Sequence, residues 1–265
     1  MDKYGFIGCG NMGGALIRAA AKSVAPERLM IADRDAQKVR TLADGTGAAA
    51  SEAADIAGTC RQIFLGVKPQ GMEELFAEIR PVLQARTDRF VLVTMAAGVP
   101  VSRIRAFAGR EDVPVIRLMP NLPASVGEGM IVWCAEGATD EEKEVYRSLL
   151  SHAGRLLEVP EEMIDAGTGL SGSGPGYICY FIEALVKGGE RVGFTKEEAT
   201  ALAVQTVKGT AVLLSETGVD PAALRKAVCS PHGTTLAGLS ALEEGSFFSD
   251  TEEAVVRAYN RAKEL

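Results

Sequence analysis

Residues 4–13 read Tyr-Gly-Phe-Ile-Gly-Cys-Gly-Asn-Met-Gly. The apolar run over 4–9 predicts a short buried strand. Behind it, apolar residues return at helical spacing through Ala15, Leu16, Ala19 and Ala20. Between strand and helix lie Gly8, Gly10 and Gly13, with Asn11 and Met12 filling the gap, in a GxGxxG pattern. Each glycine has a task in a dinucleotide site. The first permits the tight turn, the second lets a pyrophosphate approach the backbone, and the third lets the helix pack on the strand. The pattern alone is weak. Its placement between strand and helix strengthens it, and so does Asp33, which closes the second predicted strand (28–32) twenty residues after Gly13.

Asp33 and its neighbour Arg34 point to different cofactors. A carboxylate at this position takes the ribose hydroxyls and favours NADH, whereas an adjacent guanidinium pairs with a 2′-phosphate and favours NADPH. Arg34 is equally readable as a solvated surface charge, so the choice stays open.

Downstream, strand and helix patterns alternate. Helices are expected over 36–43, over 51–57 with Ser51 as a cap, over 72–83 with an interruption at Pro81, and over 101–108. Buried, largely apolar strands are expected at 62–67, 90–95 and 115–119. Continuous apolar strands between helices predict a parallel sheet covered on both faces. Ligands of such sheets bind outside the carboxyl ends of the strands. Four segments occupy those ends: the glycine turn, Val67-Lys68-Pro69-Gln70, Ala96-Ala97-Gly98-Val99, and Met119-Pro120-Asn121. Lys68 is held extended ahead of Pro69. It reads either as a contact to the nicotinamide half of a cofactor or as an exposed lysine. Asn121 reads either as an amide near the nicotinamide or as a turn residue between Pro120 and Pro123. A further strand at 129–134, a helix at 139–151 and a last strand at 156–159 complete the first half.

Around 158–165 the chain changes character. Residues 160–176 are dense in Gly and Ser, and beyond them only helical patterns appear. The division expected is 1–160, an α/β Rossmann-type domain, and 161–265, an all-α domain. The segment Ser171-Gly-Ser-Gly-Pro-Gly176 is expected to be a loop whose N–H groups suit an anionic substrate. Tyr177–Ile182 is apolar nearly all round, and a helix apolar on every side must be buried on every side. About 100 residues in one helical layer do not achieve that, so a partner subunit is expected.

Residues 230–245 begin Ser-Pro-His-Gly-Thr-Thr and continue into Leu236, Leu239 and Leu242 at three-residue spacing. Three hydroxyls thus stand at the entrance of a predicted helix. Two readings stay open on local grounds: Ser/Thr capping, or an anion site built on unpaired N–H groups and the helix dipole.

Composition bounds the function. The 265 residues are 47% hydrophobic and 24% charged, with net charge −7, which argues against a nucleic-acid partner. No run approaches the ~18 apolar residues of a membrane span, so no membrane role is expected. No basic n-region or cleavage site stands ahead of the first strand, and a cytoplasmic location is expected. The five cysteines are scattered without CxxC or metal-ligand spacing, and only His152 and His232 are present. A metal centre is therefore not expected.

The chain resembles pyrroline-5-carboxylate reductases over its full length. The resemblance rests on Gly8–Gly13, 67–70, Ala96-Ala97-Gly98, Arg117-Leu-Met-Pro-Asn121, Gly172-Ser-Gly-Pro175 and 230–235 with the Ala-Gly-Leu beyond it. The last two are specific to the family. It implies reduction of the C=N bond of 1-pyrroline-5-carboxylate to L-proline by NADPH or NADH. It also implies a homodimer through the C-terminal helices, with larger rings known in the family. Carried over, Ser230, Gly233, Thr234 and Thr235 would hold the substrate carboxylate, and the Thr235 hydroxyl would serve the ring nitrogen. Val67, Lys68, Pro69, Ala97, Gly98 and Asn121 would frame the nicotinamide, with Gly8, Gly10, Asn11, Met12, Gly13, Asp33 and Arg34 holding the rest of the cofactor. Two positions depart from the family: His232 stands where Gly is usual, and Gly176 where Ala is usual. The alternatives are a 2- or 3-hydroxy acid dehydrogenase, which would want a Lys or His base in the helical half, and a non-catalytic dinucleotide-binding regulator, which would have no use for 230–235.

Overall fold

The computed structural model describes all 265 residues. Strands and helices alternate from the start: β1 (Tyr4–Ile7), α1 (Asn11–Ser23), β2 (Leu29–Ala32), α2 (Ala36–Thr46), β3 (Ala49–Ala50), α3 (Ala53–Thr59), β4 (Gln62–Leu65), α4 (Met72–Ala85), β5 (Val91–Thr94) and α5 (Val101–Ala108). Then come β6 (Val115–Met119), β7 (Gly129–Glu136), α6 (Asp140–Leu150) and β8 (Gly154–Glu158). The eight strands form one sheet in the order β3-β2-β1-β4-β5-β6-β7-β8. The chain leaves β1 toward β2 on one side and returns to β4 on the other. The crevice of an open α/β sheet lies outside the strand ends at this reversal.

Side chains alternate across a strand, so a run apolar at every position must find cover on both faces. Phe6, Ile31, Phe64 and Val93 face one core layer, shared with Trp133 and Tyr146. Ile7, Ile63, Leu65 and Leu92 face the other, shared with Phe76 and Ile79 of α4. Phe6 stacks on Phe64 across the β1–β4 pair, with ring centroids 4.2 Å apart.

The structure corrects four expectations. The sheet is not wholly parallel, because β7 runs antiparallel to β6. Only residues 120–128 join them, with a short 3₁₀ turn over Leu122–Val126, and a parallel return needs a crossover of a dozen residues or more. Pro81 does not interrupt its helix: α4 continues from Met72 to Ala85 around it. Proline in a helix interior costs about 3 kcal/mol, and the complete burial of Phe76, Ile79 and Leu83 on either side offsets it. Ser51 is not a cap; its hydroxyl donates to the Ala49 carbonyl, and α3 starts after Glu52. Residues 171–176 are not a loop. Thr168–Gly172 form a π-helical turn, and the next helix begins at Gly174. The Ser173 N–H donates to the Thr168 carbonyl at 2.9 Å. That N–H is spent within the turn.

After α7 (Ile164–Gly167) and that turn, the remainder is helical: α8 (Gly174–Arg191), α9 (Lys196–Thr217), α10 (Pro221–Ala227), α11 (Thr234–Glu244) and α12 (Phe247–Ala262). By packing, the chain forms two compact units, Met1–Ser173 with Ala258–Leu265, and Gly174–Arg257. Residues 161–173 thus pack with the sheet, although the change of sequence character near 160 groups them with the helical half. Buried Arg117 on β6 explains this. It donates to Asp165 at 2.7 Å and Glu161 at 3.3 Å, and Glu161 also accepts the Val101 N–H. In the helical unit, α8 and α9 approach closely at Gly189 and Ala199, and their core is Val186, Ala199 and Ala203. The Tyr177 hydroxyl, which donates to the Ala254 carbonyl, and the Phe181–Phe247 ring contact tie α12 to α8.

Candidate active site

In the sheet unit the three glycines occupy three different situations. Gly8 sits at φ +111°, a conformation that L side chains rarely adopt, and a Cβ there would strike the Gly66 backbone. A Cβ on Gly13 would collide with the Gly8 carbonyl, so the third glycine brings α1 against the turn. Gly10 has open space where its side chain would be, and it caps α1 without any side-chain hydrogen bond. The first N–H groups of α1 therefore face outward uncapped, at the positive end of the helix dipole.

This turn borders a cavity of about 1000 Å³. Gly8, Gly10, Asn11, Met12 and Gly13 line it, as do Asp33, Arg34, Val67 and Lys68. A cradle that lacks a Cβ at the point of closest approach, with open helix N–H groups beside it, fits a pyrophosphate. Asp33 is fixed from both sides. Its Oδ2 accepts the Cys9 N–H at 2.6 Å and its Oδ1 accepts the Asp35 N–H at 2.8 Å. The carboxylate thus borders the cavity in an orientation set by backbone amides. Cys9 itself is inert: burial, with Asp33 nearby, pushes its thiol up to about 12.

Four expected cofactor residues lie outside that lining. Pro69 opens a 3₁₀ turn, with Lys68 extended before it at φ −66° and ψ 154°. Ala97 packs beside Met119 and Ile164. Gly98 is at φ +71°, and a Cβ there would strike Leu265. Asn121 is buried, and both ends of its amide are engaged: Nδ2 donates to the Ser171 carbonyl at 3.0 Å and Oδ1 accepts the Met130 N–H at 2.9 Å. Its visible work is to hold the π-helical turn against the sheet.

The sequence reading missed several residues of the cavity wall, among them Lys38, Arg40, Ser51, Glu52 and Gly66. Gly66 alone carried a signal, a glycine near the end of the strand expected at 62–67. The others are polar residues on elements whose own patterns say nothing about which face turns toward the crevice.

In the helical unit, α11 begins after Gly233, which offers no side-chain cap. The preceding residues form a tight turn. Gly233 N–H donates to the Ser230 carbonyl at 2.9 Å, with Pro231 second and His232 third at φ +60°. A proline followed by a positive φ defines a type II turn. The Ser230 hydroxyl is folded over Gly233. Ser230, Gly233, Thr234 and Thr235 are therefore brought together at an uncapped helix start. Of the two sequence-based readings, side-chain capping is absent from this structure.

An open sheet with such a crevice, followed by a helical unit, defines a class: the dinucleotide-dependent oxidoreductases. Comparison with known proteins narrows it. Residues 3–98 match the family model described as "NADP oxidoreductase coenzyme F420-dependent", and residues 161–265 match "Pyrroline-5-carboxylate reductase dimerisation". The pyrroline-5-carboxylate reductases of Arabidopsis thaliana and of Synechocystis sp. are each 38% identical to this chain. The alignments cover 99% of it and 95% and 98% of those proteins, respectively. Among solved structures, the pyrroline-5-carboxylate reductase of Coxiella burnetii superposes with a TM-score of 0.92 at 31% identity, over 99% of this chain and 98% of that one. The Plasmodium falciparum pyrroline carboxylate reductase, solved with NADP bound, superposes with a TM-score of 0.84 at 27% identity, over 99% and 97%. The chain belongs to the pyrroline-5-carboxylate reductase family.

Proposed function

We propose that this protein reduces the C=N bond of 1-pyrroline-5-carboxylate to L-proline, the last step of proline biosynthesis, with NADPH or NADH as cofactor. The observation that carries the reading beyond family membership is the loop 230–235. A family with a small carboxylate-bearing substrate needs an anion site, and α11 opens with uncapped N–H groups beside the Ser230 hydroxyl. In this reading Ser230 and the N–H groups of Gly233, Thr234 and Thr235 hold the carboxylate, and the helix dipole favours it. The bound dinucleotide supplies the hydride that the imine carbon accepts. The Thr235 hydroxyl hydrogen-bonds the ring nitrogen, donates the proton that nitrogen takes up, and is re-protonated from water. No stronger acid is needed, because the nitrogen becomes strongly basic as the hydride reaches the imine carbon and then takes the hydroxyl proton. Lys68 and its neighbours at the strand ends flank the nicotinamide half, and Asn121 acts there through the turn it clamps.

The functional division is taken as 1–160 for dinucleotide binding and 161–265 for substrate binding and dimerisation; the start of the dimerisation-family match at residue 161 supports it. A homodimer is proposed on the exposed apolar side chains of the helical unit, including Ile178, Tyr180, Leu202, Val212 and Phe248. Rings of such dimers are the larger assembly to test for. A cytoplasmic location suits five unpaired cysteines, three of them buried. No helix is long and apolar enough to cross a membrane.

The test is absorbance-monitored oxidation of NADPH and NADH in parallel with 1-pyrroline-5-carboxylate. Thr235→Ala is expected to lower kcat about 100-fold, the low end for loss of a general acid, with cofactor Kd unchanged. Turnover of a 2- or 3-hydroxy acid but not of the imine would overturn the reaction. Tight dinucleotide binding without any oxidation would favour the regulator.

A further inference from the structure

Asp33 and three cations, Arg34, Lys38 and Arg40, line the cavity beyond β2, and they differ in how firmly they are held. Asp33 is anchored at both oxygens by backbone N–H groups, so it cannot turn away from an incoming ligand. Arg34 is not anchored by backbone. Its Nη2 meets Glu74 Oε2 of α4 at 2.7 Å, with both side chains 69% exposed. The pair joins a lining residue of the crevice, Arg34, to α4 opposite, where Glu74 stands between lining residues. Arg34 lines it on the β2 side, and Gly71, Leu75 and Glu78 line it on the α4 side. The other cations of this end are Lys38, whose Nζ is 3.5 Å from Asp35 Oδ2, and Arg40, which donates to Gln37 Oε1 at 3.3 Å.

We propose that Glu74 sets the cofactor preference of this enzyme by competing with the 2′-phosphate of NADPH for Arg34. The inference rests on the dinucleotide reading of the crevice. Arg34 combines bidentate phosphate geometry with a charged partner that competes for it; Arg40 meets only the neutral Gln37 amide. A guanidinium takes a phosphate dianion through two parallel N–H···O bonds, a stronger pairing than one carboxylate contact in water. An exposed ion pair is worth about fivefold at most in an equilibrium constant. Breaking it is therefore cheap, and NADPH binding is diminished by that factor rather than prevented. NADH carries no group that needs Arg34. Its ribose diol meets Asp33, which is fixed in the same place for both cofactors. Asp33 sets a fixed bias toward the free diol of NADH, and the Arg34–Glu74 pair adjusts the preference from there.

The test uses the intact protein and reads binding rather than turnover. Fluorescence titrations give Kd for NADPH and NADH, and competition with 2′,5′-ADP and 5′-ADP isolates the phosphate. Glu74→Gln is expected to tighten NADPH and 2′,5′-ADP two- to fivefold while leaving NADH and 5′-ADP within error. Arg34→Gln is expected to weaken NADPH at least tenfold and NADH little. In the double variant the gain from Glu74→Gln should vanish, because the competitor has nothing left to compete for. An unchanged NADPH-to-NADH ratio in Glu74→Gln overturns the proposal alone. So does a gain that persists in the double variant, which would mark a diffuse charge effect. Failure of the unmodified protein to bind either dinucleotide overturns the cofactor reading as well.

Discussion

Phe64 and Tyr180 are both aromatic residues within regular elements, yet Phe64 is 0% exposed and Tyr180 is 78% exposed. The contrast holds for the units around them. In the sheet unit, successive residues of β1, β4 and β5 find cover on opposite faces of one sheet, so a continuous apolar run needs nothing from outside. In the helical unit, α8 and α9 carry apolar residues around much of their circumference but touch each other along one line only. One pair of helices cannot cover a surface that faces every direction. The first unit is complete as a single chain. The second leaves large apolar side chains exposed, among them Tyr180, Leu202 and Phe248.

That comparison can be broken in several places. The largest effect is expected in the sheet. Phe64→Ala removes a ring stacked on Phe6 in a packed layer and should cost about 3–5 kcal/mol. Urea unfolding followed by the fluorescence of Trp133, which shares that layer, measures it. A loss below about 1 kcal/mol would contradict the rigid packing described. Next, Leu202→Asp on exposed α9 should leave that sheet transition in place and weaken self-association at least tenfold, about 1.4 kcal/mol or more. Light scattering across a dilution series reads it, and a monomeric unmodified protein would remove the basis for the contrast.

Acid sensitivity should also belong to the sheet unit. Burial pushes the Glu142 carboxyl up, but the hydrogen bonds from Arg89 and from the Thr139 N–H outweigh this, and the net direction is down. A carboxyl lowered in the folded state contributes stability that is complete above the ordinary glutamate value of about 4.3 and is lost as pH falls through the folded value. Glu142→Gln should therefore flatten the acid limb of the stability curve below about pH 4.3 while changing it little in shape at higher pH. An unaltered acid limb would assign the sensitivity elsewhere. The smallest effect concerns the helical unit. His232 holds the positive φ of a type II turn, where glycine is at ease. His232→Gly should add about 0.5 kcal/mol, the relief of backbone strain less the entropy that glycine loses on folding. A loss of stability instead would show that the imidazole makes a compensating contact.

The two units also differ in how far the sequence alone reveals them. Seven of the eight strands, their order along the chain and the glycine turn were legible because each is a local pattern: an apolar run, a fixed spacing, an acid at strand length; the two-residue β3 is too short to leave one. Ser230–Thr235 was legible as a helix entrance for the same reason. The direction of β7 was not, because it depends on whether nine linking residues can complete a crossover. The continuity of α4 through Pro81 was not, because burial of residues on either side outweighs a local penalty. Residues 171–176 look like a loop by composition, yet they are helical because Asn121 and the turn around Ser171 hold the backbone there.

Sequence by itself determined the α/β class of the first half, the dinucleotide turn and the family, since these rest on the order and spacing of residue types. Tertiary structure alone decided which charges meet. Nothing in the spacing of Arg34 and Glu74, forty residues apart, says that they pair. Nor does it say that Asp33 is pinned by the amide of Cys9, or that Asn121 spends its amide on Ser171. Hydrogen bonds and ion pairs act over a few ångströms, and only the folded chain brings distant residues within that reach.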